Sequence, residues 1–550
     1  MLGLMQAWPL TVDRILTHAK SWHGGREVVS RSVEGPIVRT TYAELHQRAL
    51  RLTNALVALG ISPGDRVATL AWNTARHMEV WYAAMGMGAV CHTLNPRLFI
   101  DQIRYIVGHA GDRIIFTDLS FLPTLAKLQG QMPSVEHVVV MTDRPHMAEV
   151  PFAGALCFED LIAEHAADAR WGGFDENTAA GLCYTSGTTG PPKGVLYSHR
   201  SNVLHTLVTL QSDVFGLTAR DVVMPIVPMY HSNAWGLTLS APAVGAKLAM
   251  PGAKMDGASL LELIETESVT FAAAVPTVWE TMLDHLRAGG ARFTKLRRAL
   301  IGGAAAPEAV VRALEDEHGV TVSHAWGMTE TSPLGTISAP TPELDALPHD
   351  AQQRELMKQG RVPFAVELKL IDAKGAPLPH DGRAFGRLRV RGPYVAAGYF
   401  KGDSGDVLDT DGFLDTGDVA TIDALGFMQI TDRAKDLIKS GGEWISSIEI
   451  EDLVAGHPKV ALAAVIGVPD PKWEERPLLI VKPRPGEHPT QAEILGFLDG
   501  KIARWWMPST VVFVDDIPLG PTGKFDKARL RQLYGAHPES PRPQAPATRA

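Results

Sequence analysis

From Thr41 to about residue 335, apolar runs of strand length alternate with helical patterns. That rhythm limits the fold more than any other feature of the chain. Thr41-Tyr42-Ala43-Glu44 has capping-box spacing. Behind it Leu45, Leu52, Leu56 and Leu59 fall on one helical face, and Gly60 offers a stop. "DRVATLAW" from Asp65 reads as a buried strand and "TARHMEVWYAAMGMGAV" from Thr74 as a helix. The same alternation returns with "VVMPIV" as a strand, "SLLELIETESV" as a helix and "TKLRRALIGGAAAP" as a strand entering a Gly/Ala loop. It predicts α/β layers with largely parallel sheets.

From about residue 360 the texture changes. "FAVELKLID", "GRLRVRG" and "GFMQITDR" are short strands between turns, as in a β subdomain. After Lys439 the spacing predicts helix "SSIEIEDLVAGH", strands "VALAAVIG" and "PLLIVKP", helix "TQAEILGFLDGKIARWW" and strand "TVVFVDD". That is an α+β unit of roughly a hundred residues, with its boundary near "TDRAKDLIKSGGEW". The tail from residue 537 is Pro-rich, and its composition predicts disorder.

A chain of 550 residues calls for more than one lobe. The formal net charge of -9 argues against a nucleic-acid binder working through a basic face. The three cysteines, Cys91, Cys157 and Cys183, show no CxxC spacing, so neither a disulfide framework nor a zinc site is expected. "MLGLMQAWPL" lacks the pattern of a signal peptide, and no apolar stretch is long enough for a membrane span. The cytoplasm is the expected compartment.

"YTSGTTGPPKGVLYSHRS", Tyr184 to Ser201, is the most unusual stretch. Thr185, Ser186, Thr188 and Thr189 offer hydroxyls, and Gly187, Gly190 and Gly194 let backbone N–H groups converge on one point. Lys193 adds a mobile positive charge, while Pro191 and Pro192 stiffen the far side. Such an array holds phosphate. It is not a Walker A loop, because Pro192 precedes the lysine and Gly194 follows it.

This stretch resembles the phosphate loop of the AMP-forming adenylating superfamily. Further segments resemble that family's motifs in its order: "HAWGMTETSP" (His324–Pro333), "DTGD" (Asp415–Asp418), "DRAKDLIKSGGEWIS" (Asp432–Ser446) and "PLGPTGKFDK" (Pro518–Lys527). The resemblance implies an N-terminal domain over 1–431, a hinge at 432–436, and a small mobile α+β domain over 437–536. It also implies a reaction in which a carboxylate attacks the α-phosphate of ATP, with CoA then taking the acyl group. By resemblance, the loop from Thr185 to Lys193 would hold the β/γ-phosphates. Thr329 would contact the α-phosphate, Glu330 would ligate Mg²⁺, and Lys524 would reach the reacting oxygens. Asp418 would accept the ribose hydroxyls with help from Arg433. Trp326 stands where the family has Tyr and would stack on adenine. His324, Ala325, Gly327 and Met328 would complete that segment of the nucleotide site, and Gly303, Ala304 and Ala305 its other wall. Lys435 would be the hinge residue. Lys439, Gly441, Gly442, Glu443 and Trp444 would line the approach of CoA. Asp415 before Thr416 departs from the family pattern.

"VPMYHSNAWGL" (Val227–Leu237) matches the family's acyl-pocket segment. His231 would sit near the carboxylate end, and Trp235, Val275, Pro276 and Gly302 would bound an apolar pocket for a short or medium uncharged chain. "MYHSNAWG", "GMTETSPLGT", "SGGEWISSIEIED" and "CHTLNPRLF" resemble the medium-chain acyl-CoA ligases that include 3-methylmercaptopropionate–CoA ligases. Candidate substrates are 3-methylthiopropionate and butyrate to octanoate, because a thioether is close to a methylene in shape and polarity. Two alternatives stay open: an adenylating enzyme that loads a carrier protein, and a non-catalytic nucleotide-binding relative. A homodimer is compatible with the family group, though the sequence names no interface.

Overall fold

Thr41 starts the first long helix as its spacing predicts. Its hydroxyl accepts from Glu44 N at 3.3 Å, and the Glu44 carboxylate accepts from Thr41 N at 2.9 Å. The helix runs Tyr42–Ala58 and packs against Ala75–Gly86, in which every residue except Arg76 is buried. That second helix carries a buried charge, Glu79, which accepts from Arg48 Nε at 2.8 Å. Pairing is what makes a buried carboxylate tolerable. The computed structural model describes residues 1, 3–150, 152, 154–185, 191–372, 374–433, 435–440, 443–520 and 525–535.

By packing, the chain divides into two units. The first comprises Met1–Leu368, Val390–Leu414 and Leu425–Phe427; the second comprises Lys369–Arg389, Asp415–Ala424 and the chain from Met428 on. The first unit holds two large sheets. One has eight strands in the order Leu334–Ile337, Thr321–Gly327, Arg298–Ile301, Phe271–Ala274, Val222–Pro225, Lys247–Met250, Glu27–Arg31 and Ile37–Thr41. Only its two outermost pairs are antiparallel. The other has seven strands in the order Leu156–Cys157, His137–Val140, Asp112–Thr117, Arg66–Leu70, Val90–Thr93, Ala179–Tyr184 and Gly194–Ser198. It is parallel except for the last pair. Parallel strands need helical crossovers, and the alternating helices supply them. Cys91, Cys157 and Cys183 are all free and buried. Among the described residues no helix is long and apolar enough to cross a membrane.

A four-stranded sheet follows, ordered Glu367–Ile371, Phe385–Arg391, Leu414–Ile422 and Met428–Arg433. The remainder of the second unit is a five-stranded sheet built on the hairpin Val460–Asp470 and Glu474–Pro483, with helix Ser447–Ala455 packed on it. The helix expected over "TQAEILGFLDGKIARWW" is shorter than its pattern and runs only Gln491–Leu498. Gly500 at φ 74 takes the chain out of the helix, and Arg504–Trp506 forms a separate 3-10 turn. The last described helix, Lys527–Tyr534, is bound at two places. Lys527 Nζ reaches Glu451 Oε1 at 2.8 Å and Ser447 Oγ at 2.5 Å. Arg531 donates to Asp436 Oδ1 at 2.7 Å and to Lys435 O at 3.3 Å.

Candidate active site

The glycine- and hydroxyl-rich stretch is the connection of an antiparallel hairpin. Tyr184 pairs with Gly194, and Thr185 N donates to Lys193 O at 2.9 Å, closing the root of the loop. A side chain at Gly194 would meet Leu182, Tyr184 and Phe400 at 3.1 Å, so any larger residue at the root would have to press these neighbours outward. Ser186, Gly187, Thr188, Thr189 and Gly190 lie outside the described residues. Lys193 Nζ lies over the ring of Tyr399, 5.0 Å from its centroid.

The "HAWGMTETSP" segment leaves strand Thr321–Gly327 and enters the short turn Thr329–Thr331. His324 pairs in register with Ile301 of the neighbouring strand. Its ring is buried, with Nδ1 2.8 Å from Met357 O and Nε2 3.3 Å from Ala304 O. Burial holds its pKa below the ordinary imidazole value. His324 thus braces the exposed loop Gly303-Ala304-Ala305 that follows strand Arg298–Ile301. Ala325 O closes on Gly302, where an added Cβ would lie 3.2 Å away. Trp326 is buried with its ring against Gly335, leaving no space there for a side chain. Gly327 is equally closed in by Pro333 O, and Met328 N donates to Thr331 Oγ1 at 3.0 Å.

Thr329 is fixed from two directions. Its carbonyl accepts from Tyr197 OH at 2.7 Å, and its hydroxyl stands 3.4 Å from Ser232 Oγ. Glu330 is only 5% exposed. Its Oε1 accepts from Tyr399 OH at 2.6 Å, and its backbone carbonyl accepts from Ala396 N at 2.8 Å. Among the described residues no group of three or more His, Cys, Asp or Glu side chains is arranged to hold a metal ion. This donor set suits Mg²⁺, which binds through one or two carboxylates and substrate phosphates rather than in an all-protein cage.

Ser232 belongs to the acyl-pocket segment, whose backbone is unusual. Ser232, Asn233, Ala234 and Trp235 have φ of 44, 58, 50 and 53°, and Gly236 follows at 78°. A run of left-handed residues costs about 1–2 kcal/mol for each non-glycine. Such strain gathers at functional sites and persists only where the surroundings hold it. Here the turn aims the Trp235 indole at the Gly302–Gly303 backbone, where an added Cβ at Gly302 would be 3.2 Å from the ring. Val275 Cγ1 closes on Gly303 in the same way, at 3.2 Å. Pro276 then opens helix Pro276–Gly289. Trp235, Val275 and Gly302, named for the acyl pocket, thus lie together with Gly303, named for the nucleotide wall, and His231 sits at the entry to the turn, its N–H donating to Pro228 O at 3.0 Å.

In the second unit Asp418 and Arg433 face each other across neighbouring strands. Arg433 Nε donates to Asp418 Oδ1 at 2.8 Å, and Thr416 Oγ1 accepts from Asp418 N at 3.1 Å. Asp415, the departure from the family pattern, pairs with Arg387 and Arg389. Lys435 has its pKa lowered, chiefly by burial. Lys439 pairs with Trp444 and Ser440 with Glu443 in a short hairpin. Gly441, Gly442 and Lys524 lie outside the described residues. The lysine loop is closed at its root, since Leu519 pairs with Phe525 and Asp526 N donates to Pro518 O at 2.9 Å.

The AMP-binding enzyme family profile matches residues 16–400, and the profile of its C-terminal domain matches 449–524. The chain belongs to the AMP-binding enzyme family. Within it the chain is an AMP-forming acyl-CoA synthetase. It is 49% identical to the 3-methylmercaptopropionyl-CoA ligase of Ruegeria lacuscaerulensis, across 97% of this chain and 99% of that one. It is 47% identical to the medium-chain-fatty-acid–CoA ligase of Ectopseudomonas oleovorans, across 97% and 98%. Among solved structures, ATP-bound MatB from Rhodopseudomonas palustris superposes with a TM-score of 0.81 at 26% identity, covering 96% of this chain and 99% of that one. The synthetase also places two residues that the sequence patterns did not single out, Tyr197 and Tyr399, against the candidate site residues. Tyr197 closes the quoted Tyr184–Ser201 stretch beyond its small and charged residues, Tyr399 lies outside every quoted motif, and their hydroxyl contacts to Thr329 and Glu330 mark them.

Proposed function

We propose that the enzyme joins a short or medium-chain uncharged carboxylic acid to CoA through an acyl-adenylate, releasing AMP and pyrophosphate, with 3-methylthiopropionate and butyrate to octanoate as candidate acids. The observation that carries the choice of acid is the Trp235 indole lying across Gly302 and Gly303 beside Val275. This wall is apolar, has no charge to receive a polar tail, and limits depth. The names of the two relatives reported above agree with such a pocket.

The substrate carboxylate is already ionised near neutral pH, so no general base is required. The barrier is an anion approaching a polyanion, and catalysis is positioning plus charge neutralisation. The loop from Thr185 to Lys193 would hold the β/γ-phosphates. Thr329, fixed by Tyr197 and Ser232, would present its hydroxyl to the α-phosphate. Glu330 would hold Mg²⁺, which when bound neutralises charge on the phosphate oxygens. Lys524 would meet the charge that builds on the reacting oxygens. Asp418, oriented by Arg433, would accept the ribose hydroxyls. For thioester formation the chain would turn at Lys435, bringing "KSGGEWI" to the site in place of Lys524; such hinge closure lets one site serve two steps. A cytoplasmic location fits three unpaired, buried thiols.

The test is CoA-dependent AMP release from ATP with carboxylates from acetate to dodecanoate, 3-methylthiopropionate and benzoate. A maximum at 3-methylthiopropionate and the C4 to C8 acids is expected. Pyrophosphate exchange without thioester would point instead to a carrier protein as acceptor.

A further inference from the structure

One aromatic ring touches two of the charged groups assigned above. The Tyr399 hydroxyl donates to Glu330 Oε1 at 2.6 Å, and its ring face carries Lys193 Nζ at 5.0 Å from the centroid. A phenol that holds one oxygen of a buried carboxylate fixes the rotation of the whole group, and so the direction in which its other oxygen presents. The ring face, negative at its centre, attracts an ammonium without forming a bond that a phosphate must break.

The segment that bears Tyr399 is itself anchored. Ala396 N donates to the Glu330 carbonyl at 2.8 Å, and Ser332 Oγ donates to Tyr394 O at 2.7 Å. Phe400 packs on Gly194 at the loop root. Lys401 Nζ donates to His109 O at 2.6 Å, while His109 Nδ1 meets Tyr184 OH at 2.6 Å and its Nε2 faces Asp403 at 3.4 Å. Residues 394–403 thus form a strap tied both to the Thr329–Thr331 turn and to the root of the phosphate loop. A side chain on such a strap can hold two charges in fixed relation.

We propose that Tyr399 is a positioning residue that orients the Glu330 carboxylate toward the metal through its hydroxyl and holds Lys193 ready for the phosphates on its ring face. The inference rests on the assignment of Glu330 as the metal ligand. Groups that orient a metal ligand from behind change metal affinity by about tenfold or more when removed.

The test is titration of Mn²⁺ by electron paramagnetic resonance into the enzyme complexed with non-hydrolysable α,β-methylene-ATP. Tyr399→Phe keeps the ring and removes only the hydroxyl. It should weaken Mn²⁺ binding about tenfold while leaving the KM for the carboxylate and the metal-free affinity for the nucleotide unchanged. Tyr399→Leu should weaken metal-free nucleotide binding as well, because Lys193 loses its ring. In the Glu330→Gln background, Tyr399→Phe should add no further loss, since the hydroxyl acts through that carboxylate. Wild-type Mn²⁺ affinity in Tyr399→Phe overturns the inference, as does a full additional loss in the double variant. Wild-type affinity in Glu330→Gln instead overturns the metal assignment beneath it. If Tyr399→Leu does not melt cooperatively, Tyr399→Phe alone decides.

Discussion

Lys524 has the narrowest assigned duty, and its removal should split the reaction. Lys524→Ala should lower adenylate formation, read as acid-dependent pyrophosphate exchange, by about a hundredfold or more. The same variant should still convert supplied acyl-adenylate and CoA to thioester, and loss of both steps would remove the role. His205 offers a second test, through stability. It is fully buried beside the acyl-pocket turn, its Nε2 accepts from Leu334 N at 3.3 Å, and burial lowers its pKa from 6.5 to about 3. Between those values the unfolded chain binds a proton that the folded ring refuses. Stability contributed by the neutral ring is therefore complete above pH 6.5 and is lost as the pH falls toward about 3. Each such proton is worth about 1.4 kcal/mol per pH unit. His205→Gln should flatten the fall in urea-unfolding free energy between pH 6 and 4 by up to that slope. An unchanged slope would mean that another group sets the acid limit.

The left-handed turn Ser232–Trp235 carries the indole proposed to bound the acyl pocket. Trp235→Ala should move the acid with the highest kcat/KM toward longer chains, since each added methylene in an apolar pocket is worth about tenfold or more. A profile identical to wild type would place the pocket floor elsewhere. Nothing in "SNAW" announces this turn: its residues lack the glycine that usually marks positive φ, and tertiary contacts impose it. The opposite holds at Thr41, where the cap is written in local spacing and forms as read. The helix beginning at Gln491 was legible at its start and illegible at its end, because Ile502, Trp505 and Trp506 continue an apolar pattern past the Asp499-Gly500 turn. Strand alternation showed that the sheets would be largely parallel, yet it could not order them. Glu27–Arg31 lies beside Lys247–Met250 through pairing across more than two hundred residues. In the site, the phosphate loop and the Glu330 segment were visible as motifs. Tyr399 was not, because a tyrosine outside any periodic pattern carries no local signal of what its hydroxyl will reach.

For the molecule to serve two half-reactions by the proposed turn at Lys435, the part of the second unit that follows that residue would turn as a body. The bonds of Arg531 to Lys435 O and Asp436 tie the proposed hinge segment to the helix that follows the lysine loop, so a rotation of the backbone at 435 would carry that helix with it. Lys435→Pro should retain pyrophosphate exchange and lose thioester formation by about a hundredfold, because the ring fixes φ where the turn needs it free. Normal thioester turnover in that variant would discard the hinge. The three buried thiols make such motion open to direct observation. A folded chain whose only sulfhydryls are out of reach of a maleimide already has a silent background. One surface cysteine introduced on each side of Lys435, in the first unit and in the five-stranded sheet, labelled with a donor and an acceptor dye, would therefore report the proposed swing by energy transfer, and no native residue would have to be removed.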